Sequence, residues 1–307
     1  MHKIFIDGSA GTTGLRIRER LAQRSDLELL ILDEASRKDP DARRAALNAC
    51  DVAFLCLPDA AAVEAVGMVE NDKTVVIDTS TAHRTADGWS YGFPELLGKR
   101  EEIAASRRIA NPGCHASGFV ALVEPLIRRG VLAKDTPLTA YSLTGYSGGG
   151  KKMIAEYEDA ARDTLLDAPR MYGLGQTHKH LPEMKAVTGL ARDPIFCPVV
   201  APYYSGMEVT VPIFGDALSC SLDELCALYA DYYRTGLVRF VGADAENGFL
   251  SANAMSGRDD LQISVQGNAD RILLVARFDN LGKGASGAAI QNMNLILGVN
   301  EAEGLVV

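Results

Sequence analysis

The stretch that decides the fold is KIFIDGSAGTTG, residues 3–14. A short run of strand-forming residues ends at Asp7, and a turn with glycines at regular spacing follows it. The next apolar residues have the spacing of one helix face: Leu15, Ile17 and Leu21. A strand, a glycine turn and a helix in this order form the opening unit of a parallel α/β sheet.

The chain beyond this unit continues the alternation. Further strands are predicted at 27–32, 52–57 and 74–78, with a helix at 60–69, which indicates a parallel sheet with right-handed crossovers. A helix at 116–129 is followed by strands at 136–144, 208–214 and 271–278 without regular helices between them, and a last helix covers 285–297. We therefore predict an α/β protein: a Rossmann-type dinucleotide-binding domain (1–115 with 285–307) and an α+β substrate domain with a mixed sheet (116–284).

Composition excludes several classes of partner. The chain has 307 residues and a formal net charge of -9, so no basic face for nucleic acid is expected. Its first residues lead directly into a strand, and it contains no run of about 18 apolar residues, which predicts a cytoplasmic protein with no membrane partner. The six cysteines form no C-x-x-C pair, so we expect neither disulfides nor a metal site.

The glycine turn predicts the ligand of the first domain. Small residues before a helix let the backbone N–H groups approach a pyrophosphate, although the spacing is G-x-x-G-x-x-G and a plain tight turn is the alternative. The predicted ligands are Gly8, Ser9, Gly11, Thr12, Thr13 and Gly14. After the second strand, residues 33–38 (DEASRK) hold both an acid suited to a ribose diol and a basic pair suited to a 2′-phosphate. We predict NADP, bound by Ser36, Arg37 and Lys38, and NAD remains the alternative.

Cys114 is the predicted nucleophile. It follows a Pro-Gly turn and precedes a helix, whose N-terminus stabilises the reactive thiolate; a buried structural cysteine is the alternative. A thiolate and a nicotinamide in one chain indicate acylation of sulfur and hydride transfer at the acyl carbon. The proton donor is predicted to be His178 or His180.

Seven motifs in order make the chain resemble the short type of N-acetyl-gamma-glutamyl-phosphate reductase, within the wider group that contains aspartate-semialdehyde dehydrogenase. They are GSAGTTG at 8–14, VIDTSTAHR at 76–84, YGFPEL at 91–96, NPGC at 111–114, YSGGGKK at 146–152, HKHLPE at 178–183 and KGASGAAIQNMN at 283–294. The resemblance implies NADPH-dependent reduction of N-acetyl-glutamyl 5-phosphate, a small acyl phosphate, to N-acetylglutamate 5-semialdehyde in arginine biosynthesis. It covers essentially the whole chain.

The resemblance also assigns site residues. Cys114 matches the nucleophile, His178 (favoured) or His180 the acid/base, and Tyr172 and Glu183 their supports. The implied cofactor residues are Ser80, Gly287 and Asn292, and the implied substrate residues are Arg84, Asn111, Ser147, Gly148, Gly149 and Lys151. Two departures stand out: residues 196–207 contain no third histidine, and Ala82-His83 replaces an Asp-Phe pair common before the arginine.

Three further expectations concern assembly and rival functions. We expect a homo-oligomer, a dimer or a tetramer, because an exposed sheet face commonly pairs. The first rival function is another acyl-phosphate or semialdehyde dehydrogenase, such as an aspartate-semialdehyde type. The second is a non-enzymatic NADPH-sensing module that uses Cys114 as a redox switch.

Overall fold

The computed structural model describes residues 1–243 and 245–307, which form two compact units. The first unit comprises Met1–Pro94, Gly98–Pro112 and Ala285–Leu305, and the second comprises Glu95–Leu97, Gly113–Gly284 and Val306–Val307. The predicted boundary after residue 115 is therefore corrected, since residues 113–115 belong to the second unit. The reason is that Cys114 and His115 open a helix of that unit.

The first unit contains a parallel sheet. Its strands are β1 (His2–Asp7), β2 (Leu27–Leu30), β3 (Val52–Leu55), β4 (Val75–Asp78), β5 (Ser90–Tyr91) and β6 (Arg108–Ala110). Its helices are α1 (Thr12–Leu21), α2 (Pro40–Ala49), α3 (Asp59–Gly67), α4 (Lys99–Ala105) and a late helix, Gly287–Ile296. In the described residues the strand order is β2-β1-β3-β4-β6-β5, with every neighbouring pair parallel. This order confirms the predicted Rossmann-type domain.

Both faces of β1 are buried, because its side chains alternate between two cores. Ile4 belongs to a cluster with Ile17 of α1 and Ile290 of the late helix. Phe5 belongs to the opposite cluster, with Leu47 of α2 among its members. The late helix therefore packs in the core of the first unit.

The second unit is built on a mixed sheet. Its helices are α5 (Cys114–Arg128), α6 (Gly150–Glu158), α7 (Leu181–Thr188) and α8 (Leu222–Tyr232). Its strands are β7 (Thr139–Gly145), β8 (Arg170–Met171), β9 (Ile195–Ala201), β10 (Met207–Phe214), β11 (Val238–Phe240), β12 (Leu261–Gly267) and β13 (Arg271–Phe278). The described strands lie in the order β11-β12-β13-β10-β7-β9-β8. The mixed sheet was predicted correctly, whereas the expectation of no regular helices between its strands was wrong.

Helix α5 lies directly on one face of this sheet. A Cβ at Gly118 would lie only 2.5 Å from Cγ2 of Val209 on β10, so glycine permits the close approach. Nearly every residue from His115 to Leu126 is buried. In the part of the chain that the structure describes, no helix is long and apolar enough to cross a membrane.

A π-helical segment, Gly282–Ser286, is anchored by a buried ion pair of the second unit. It precedes the late helix, Gly287–Ile296, which we call α9. Lys283 Nζ lies 2.8 Å from both carboxylate oxygens of Glu95, and both side chains are fully buried. Glu95 also accepts a hydrogen bond from the Leu237 N–H. Since a buried charge without its partner is unfavourable, each side chain depends on the other.

Replacing Lys283 with methionine should destabilise the protein by about 3–5 kcal/mol, because the Glu95 carboxylate would stay buried without its cation. Urea denaturation measures the change. Lys99→Met is the matched control: Lys99 pairs with Glu102 at 2.7 Å on the surface, and its loss should cost less than about 1 kcal/mol. Equal denaturation midpoints for the two variants would contradict the anchoring role of Lys283.

Candidate active site

Cys114 is the first residue of α5, with Gly113 as the N-cap. The Gly113 N–H donates to Glu183 Oε1 at 2.8 Å, so a buried carboxylate of α7 fixes the turn before the cysteine. A Cβ at Gly284 would lie 3.0 Å from Cys114 Cβ, so the glycine leaves room for the cysteine side chain. The predicted position of Cys114, at a helix N-terminus in a tightly defined turn, agrees with the structure.

The other cysteines of the chain differ in their environment. All six are thiols, and Cys114 is partly exposed. Burial raises the pKa of Cys50 and of Cys56 to about 12, which keeps both protonated at neutral pH. Their interpretation as packing residues fits these environments, because the thiolate is the reactive form.

The two predicted histidines lie together at the start of α7. His180 is buried and caps the helix, whereas His178 is partly exposed. Their ring centroids are 4.8 Å apart, and the His180 N–H donates to His178 Nδ1 at 3.2 Å. In the described residues, no group of three or more His, Cys, Asp or Glu side chains is arranged to hold a metal ion.

A third histidine, His115, completes this cluster and was missed in the sequence. Its ring centroid lies 5.6 Å from those of both His178 and His180. Its Nε2 is 2.6 Å from the hydroxyl of Tyr172, and its Nδ1 is 2.7 Å from that of Ser142. Burial, followed by the charge of His178, lowers the pKa of His115 to about 3, so the ring is neutral. The sequence signal was its place in a helix that is apolar on all sides, where a polar side chain must find partners.

The glycine turn of the first unit forms a tight loop between β1 and α1. Gly8 has φ 85°, and a Cβ there would lie 2.2 Å from the Cys56 carbonyl oxygen. A Cβ at Gly14 would lie 2.5 Å from the Gly8 carbonyl oxygen. Gly11 caps α1, and Thr12 and Thr13 form its first turn. The loop therefore presents backbone N–H groups at a helix N-terminus, which suits a pyrophosphate.

A cleft of about 320 Å³ opens beside this loop in the first unit. Its lining includes Gly8, Ser9, Ala10, Arg37, Lys38 and Arg43. Arg43 is committed to Asp7 of β1, with Nε 3.0 Å from the carboxylate. The cationic side chains of Arg37 and Lys38 therefore line the same cleft as the glycine loop.

Asp33, in the same segment, binds Ser36 through its carboxylate. Asp33 accepts hydrogen bonds from the Ser36 N–H at 2.8 Å and from its hydroxyl at 2.5 Å. Ser36 is thus engaged with Asp33, and neither residue is among those lining the cleft. Of the two conflicting signals in residues 33–38, the basic one faces the cleft.

The remaining cofactor candidates lie in the first unit as well. The Ser80 hydroxyl donates to Asp78 at 2.7 Å, and Gly287 begins α9. Asn292 donates from Nδ2 to the Gly92 carbonyl at 2.9 Å. Its Oδ1 is buried and accepts no hydrogen bond from the described residues, so it can receive one from a ligand amide.

Arg84 and Asn111 brace the segment that leads to the cysteine. Arg84 Nε donates to the Asn111 carbonyl at 3.0 Å, and its Nη2 donates to the Thr79 carbonyl at 3.2 Å. The Asn111 side chain donates to the Ala285 carbonyl at 3.0 Å. Nε and Nη2 of Arg84 therefore bind backbone carbonyls. A role of Arg84 in substrate binding stays a prediction.

The other predicted substrate residues surround the start of α6 in the second unit. Ser147 is buried, and its hydroxyl accepts from Asn280 Nδ2 at 3.0 Å. Gly148, Gly149 and Lys151 are exposed. Gly150, with φ 73° and ψ −170°, begins α6, so the backbone N–H groups of residues 148–150 lie at the N-terminal end of this helix.

Two family models match the chain. The model described as "Semialdehyde dehydrogenase, NAD binding domain" matches residues 33–106. The model described as "Semialdehyde dehydrogenase, dimerisation domain" matches residues 114–280. The two matches fall in the parallel-sheet part and the mixed-sheet part of the chain.

Curated relatives extend over nearly the whole chain. The N-acetyl-gamma-glutamyl-phosphate reductase of Brucella ovis is 47% identical over 306 residues, covering 96% of this chain and 99% of the relative. The N-acetyl-gamma-glutamyl-phosphate reductase of Burkholderia cenocepacia is 44% identical over 308 residues, covering 97% and 98%.

Solved structures share the fold at low identity. Aspartate semialdehyde dehydrogenase II from Vibrio cholerae, complexed with ASA, aligns with a TM-score of 0.71 and 17% identity, covering 97% of this chain and 98% of that one. Aspartate semialdehyde dehydrogenase from Francisella tularensis aligns with a TM-score of 0.72 and 14% identity, covering 97% and 100%.

Proposed function

The chain belongs to the N-acetyl-gamma-glutamyl-phosphate reductase family, and from this premise we propose an NADPH-dependent reduction in which Cys114 carries the acyl group. The protein is an oxidoreductase acting at the aldehyde level, and its reaction converts N-acetyl-glutamyl 5-phosphate to N-acetylglutamate 5-semialdehyde in arginine biosynthesis. The observation that carries the proposed mechanism is the placement of Cys114 at the N-terminus of α5, where the next residue, His115, belongs to the histidine cluster of the same unit.

NADP is the proposed form of the nicotinamide cofactor. The glycine loop suits the pyrophosphate, Arg37 and Lys38 suit a 2′-phosphate, and the buried Asn292 Oδ1 suits the carboxamide of the nicotinamide. Asp33 is engaged by Ser36 rather than directed to a ribose diol, which argues against NAD. When bound, the reduced cofactor supplies the hydride.

In the proposed mechanism, the Cys114 thiolate attacks the acyl carbon, and the carbon–oxygen bond to phosphate breaks, leaving a thioester. Backbone N–H groups at the N-terminus of α5 stabilise the oxyanion that forms during this attack. Glu183 keeps the turn in place through the Gly113 N–H. After reduction of the thioester, the carbon–sulfur bond of the thiohemiacetal breaks and the aldehyde leaves.

His178 is the proposed acid/base. Its ring is partly exposed in the cluster with His115 and His180, which suits proton exchange with substrate. His180 is buried as the cap of α7, which suits a supporting role. In the second unit, Ser147 and the N-terminus of α6 are the proposed contacts to the anionic substrate.

A substrate comparison tests this function against its nearest rival. With NADP⁺ and phosphate, oxidation of N-acetylglutamate semialdehyde should exceed that of aspartate semialdehyde by at least about 100-fold in kcat/KM, because unmatched polar groups in a pocket cost several kcal/mol. Absorbance of NADPH measures both rates. Preference for aspartate semialdehyde would reverse the assignment, and NADPH binding without turnover of either aldehyde would favour the redox-sensing module.

We also propose that the second unit pairs with a second copy of the chain through the sheet face opposite α5. The register places four exposed apolar side chains on this face: Tyr141, Ile195, Phe214 and Leu273. Phe214 is 68% exposed and Ile195 61%. The family description of residues 114–280 as a dimerisation domain favours a dimer as the assembly.

Phe214→Glu should weaken this dimer by about 100-fold or more, because a charge would be buried against an apolar partner. Analytical ultracentrifugation over a range of protein concentrations measures the dissociation constant. Val63→Glu changes an apolar residue of α3 that is 55% exposed, and should leave the dimer intact. A Phe214→Glu protein as dimeric as the control would show that another surface holds the assembly.

A further inference from the structure

Buried hydrogen bonds connect three elements of the second unit beside Cys114. Ser142 of β7, His115 of α5 and Tyr172, which follows β8, are joined at 2.7 Å and 2.6 Å through the two nitrogens of the imidazole. Ser142 and His115 are almost completely buried. The Tyr172 backbone is fixed as well, because its N–H donates to the Pro198 carbonyl at 3.0 Å.

The imidazole of His115 is held in a single orientation. The ring of Phe196 lies edge-on at 5.2 Å and that of His178 at 5.6 Å, so packing adds to its two hydrogen bonds. Burial lowers the pKa of His115 to about 3, and the ring is therefore neutral with one donor and one acceptor nitrogen. Ser142 and Tyr172 each can donate or accept, so the chain of hydrogen bonds has one direction at a time.

We propose that His115 is a positioning residue: it donates from Nε2 to the Tyr172 oxygen and thereby directs the Tyr172 O–H to the sulfur of Cys114. In this arrangement Ser142 donates to His115 Nδ1, His115 donates to Tyr172, and Tyr172 donates to the thiolate. No proton is transferred between these groups. The proposal rests on the proposed role of Cys114 as the nucleophile.

Two observations support the proposed contact between Tyr172 and Cys114. The Tyr172 hydroxyl contacts the ring of His115, which is the residue directly after Cys114. Burial raises the pKa of Tyr172, and negative charge at Cys114 raises it further, so the phenol stays protonated at neutral pH. A phenol that stays protonated beside a thiolate is a hydrogen-bond donor to it.

The Tyr172 hydroxyl, as a hydrogen-bond donor, stabilises the Cys114 thiolate. A hydrogen bond to the thiolate favours the charged form and lowers the pKa of the thiol. The same bond stabilises sulfur as the leaving group when the thiohemiacetal collapses. His115 thus acts on the reaction only through Tyr172, and its removal should change the reactivity of Cys114 more than substrate binding.

The test is the pH dependence of Cys114 alkylation by iodoacetamide, followed by mass spectrometry of the Cys114 peptide. Tyr172→Phe and His115→Phe should each raise the pKa of the thiol by about one pH unit and lower kcat about tenfold with KM little changed. The double variant should behave like Tyr172→Phe alone, since both changes break one chain of bonds. His115→Gln should retain the wild-type profile, because its amide nitrogen can donate from near the place of Nε2.

Phe196→Leu is the control for packing, since Phe196 contacts the His115 ring without a hydrogen bond to it. It should lower thermal stability but leave the alkylation profile unchanged. An unchanged profile in Tyr172→Phe, or shifts that add in the double variant, would overturn the proposal. If His115→Phe does not fold, Tyr172→Phe alone decides, because it removes a single hydroxyl. Alkylation does not depend on turnover, so a Cys114→Ser enzyme that remains active would refute the proposed nucleophile separately.

Discussion

Replacing Cys114 with serine should lower kcat for N-acetyl-glutamyl phosphate reduction by about 10⁴-fold. A serine hydroxyl is not ionised at neutral pH, and the reaction would lose its covalent intermediate. Steady-state assays with NADPH measure the loss. Because Cys114 belongs to the second unit and the glycine loop to the first, NADPH affinity measured by fluorescence should stay within about twofold of wild type.

Cys220→Ser is the matched control for this result. Cys220 is a partly exposed thiol, and burial with the nearby Glu224 charge raises its pKa, so it is disfavoured as a thiolate. Its replacement should leave kcat unchanged. A Cys114→Ser enzyme with a rate near that of Cys220→Ser would remove Cys114 from the mechanism.

The double variant Arg37→Ala/Lys38→Ala should raise the KM for NADPH by about 100-fold and leave the KM for NADH nearly unchanged. Two charge-assisted hydrogen bonds to a 2′-phosphate are each worth about 1.5–3 kcal/mol, and about 1.4 kcal/mol corresponds to a tenfold change in affinity. Initial rates at varied concentrations of each cofactor give both constants.

Arg44→Ala controls for the loss of positive charge from the same region. Arg44 lies on α2, where its guanidinium pairs with Asp41 at 3.1 Å, and it does not line the cleft. Its replacement should change neither constant by more than about twofold. If the double variant kept its preference for NADPH, the cleft beside the glycine loop would not be the 2′-phosphate site.

The fold was predictable where periodicity and turn chemistry agree. The glycine turn after β1 and the buried strands of the parallel sheet were located to within a few residues. The very short strands β5 and β6 carry too few residues for a pattern, and helix α2 begins in a charged segment, residues 40–44, that reads as a loop. Helices α6–α8 were not predicted, because each is short, with 8 to 11 residues, and lies among strands with a stronger apolar pattern.

The candidate site was predictable only for residues whose local sequence has a chemical signature. Cys114 follows a turn before a helix, and the pair His178 and His180 stands out in the chain. The apolar helix around His115 indicates only that its side chain needs partners, and it does not identify them, because Ser142 and Tyr172 are 27 and 57 residues away. Likewise, Glu95 and Lys283 are separated by 188 residues, and only the folded chain pairs them. Whether residues 33–38 favour NAD or NADP depends on side-chain directions that the sequence does not contain.

A burst experiment tests whether a thioester forms on Cys114. The enzyme is mixed with N-acetylglutamate semialdehyde and NADP⁺ in the absence of phosphate, and NADPH absorbance is followed. We expect about one equivalent of NADPH per active site, an N-acetylglutamyl adduct on the Cys114 peptide, and renewed turnover when phosphate is added. Absence of a burst, or an equal burst from the Cys114→Ser enzyme, would contradict it.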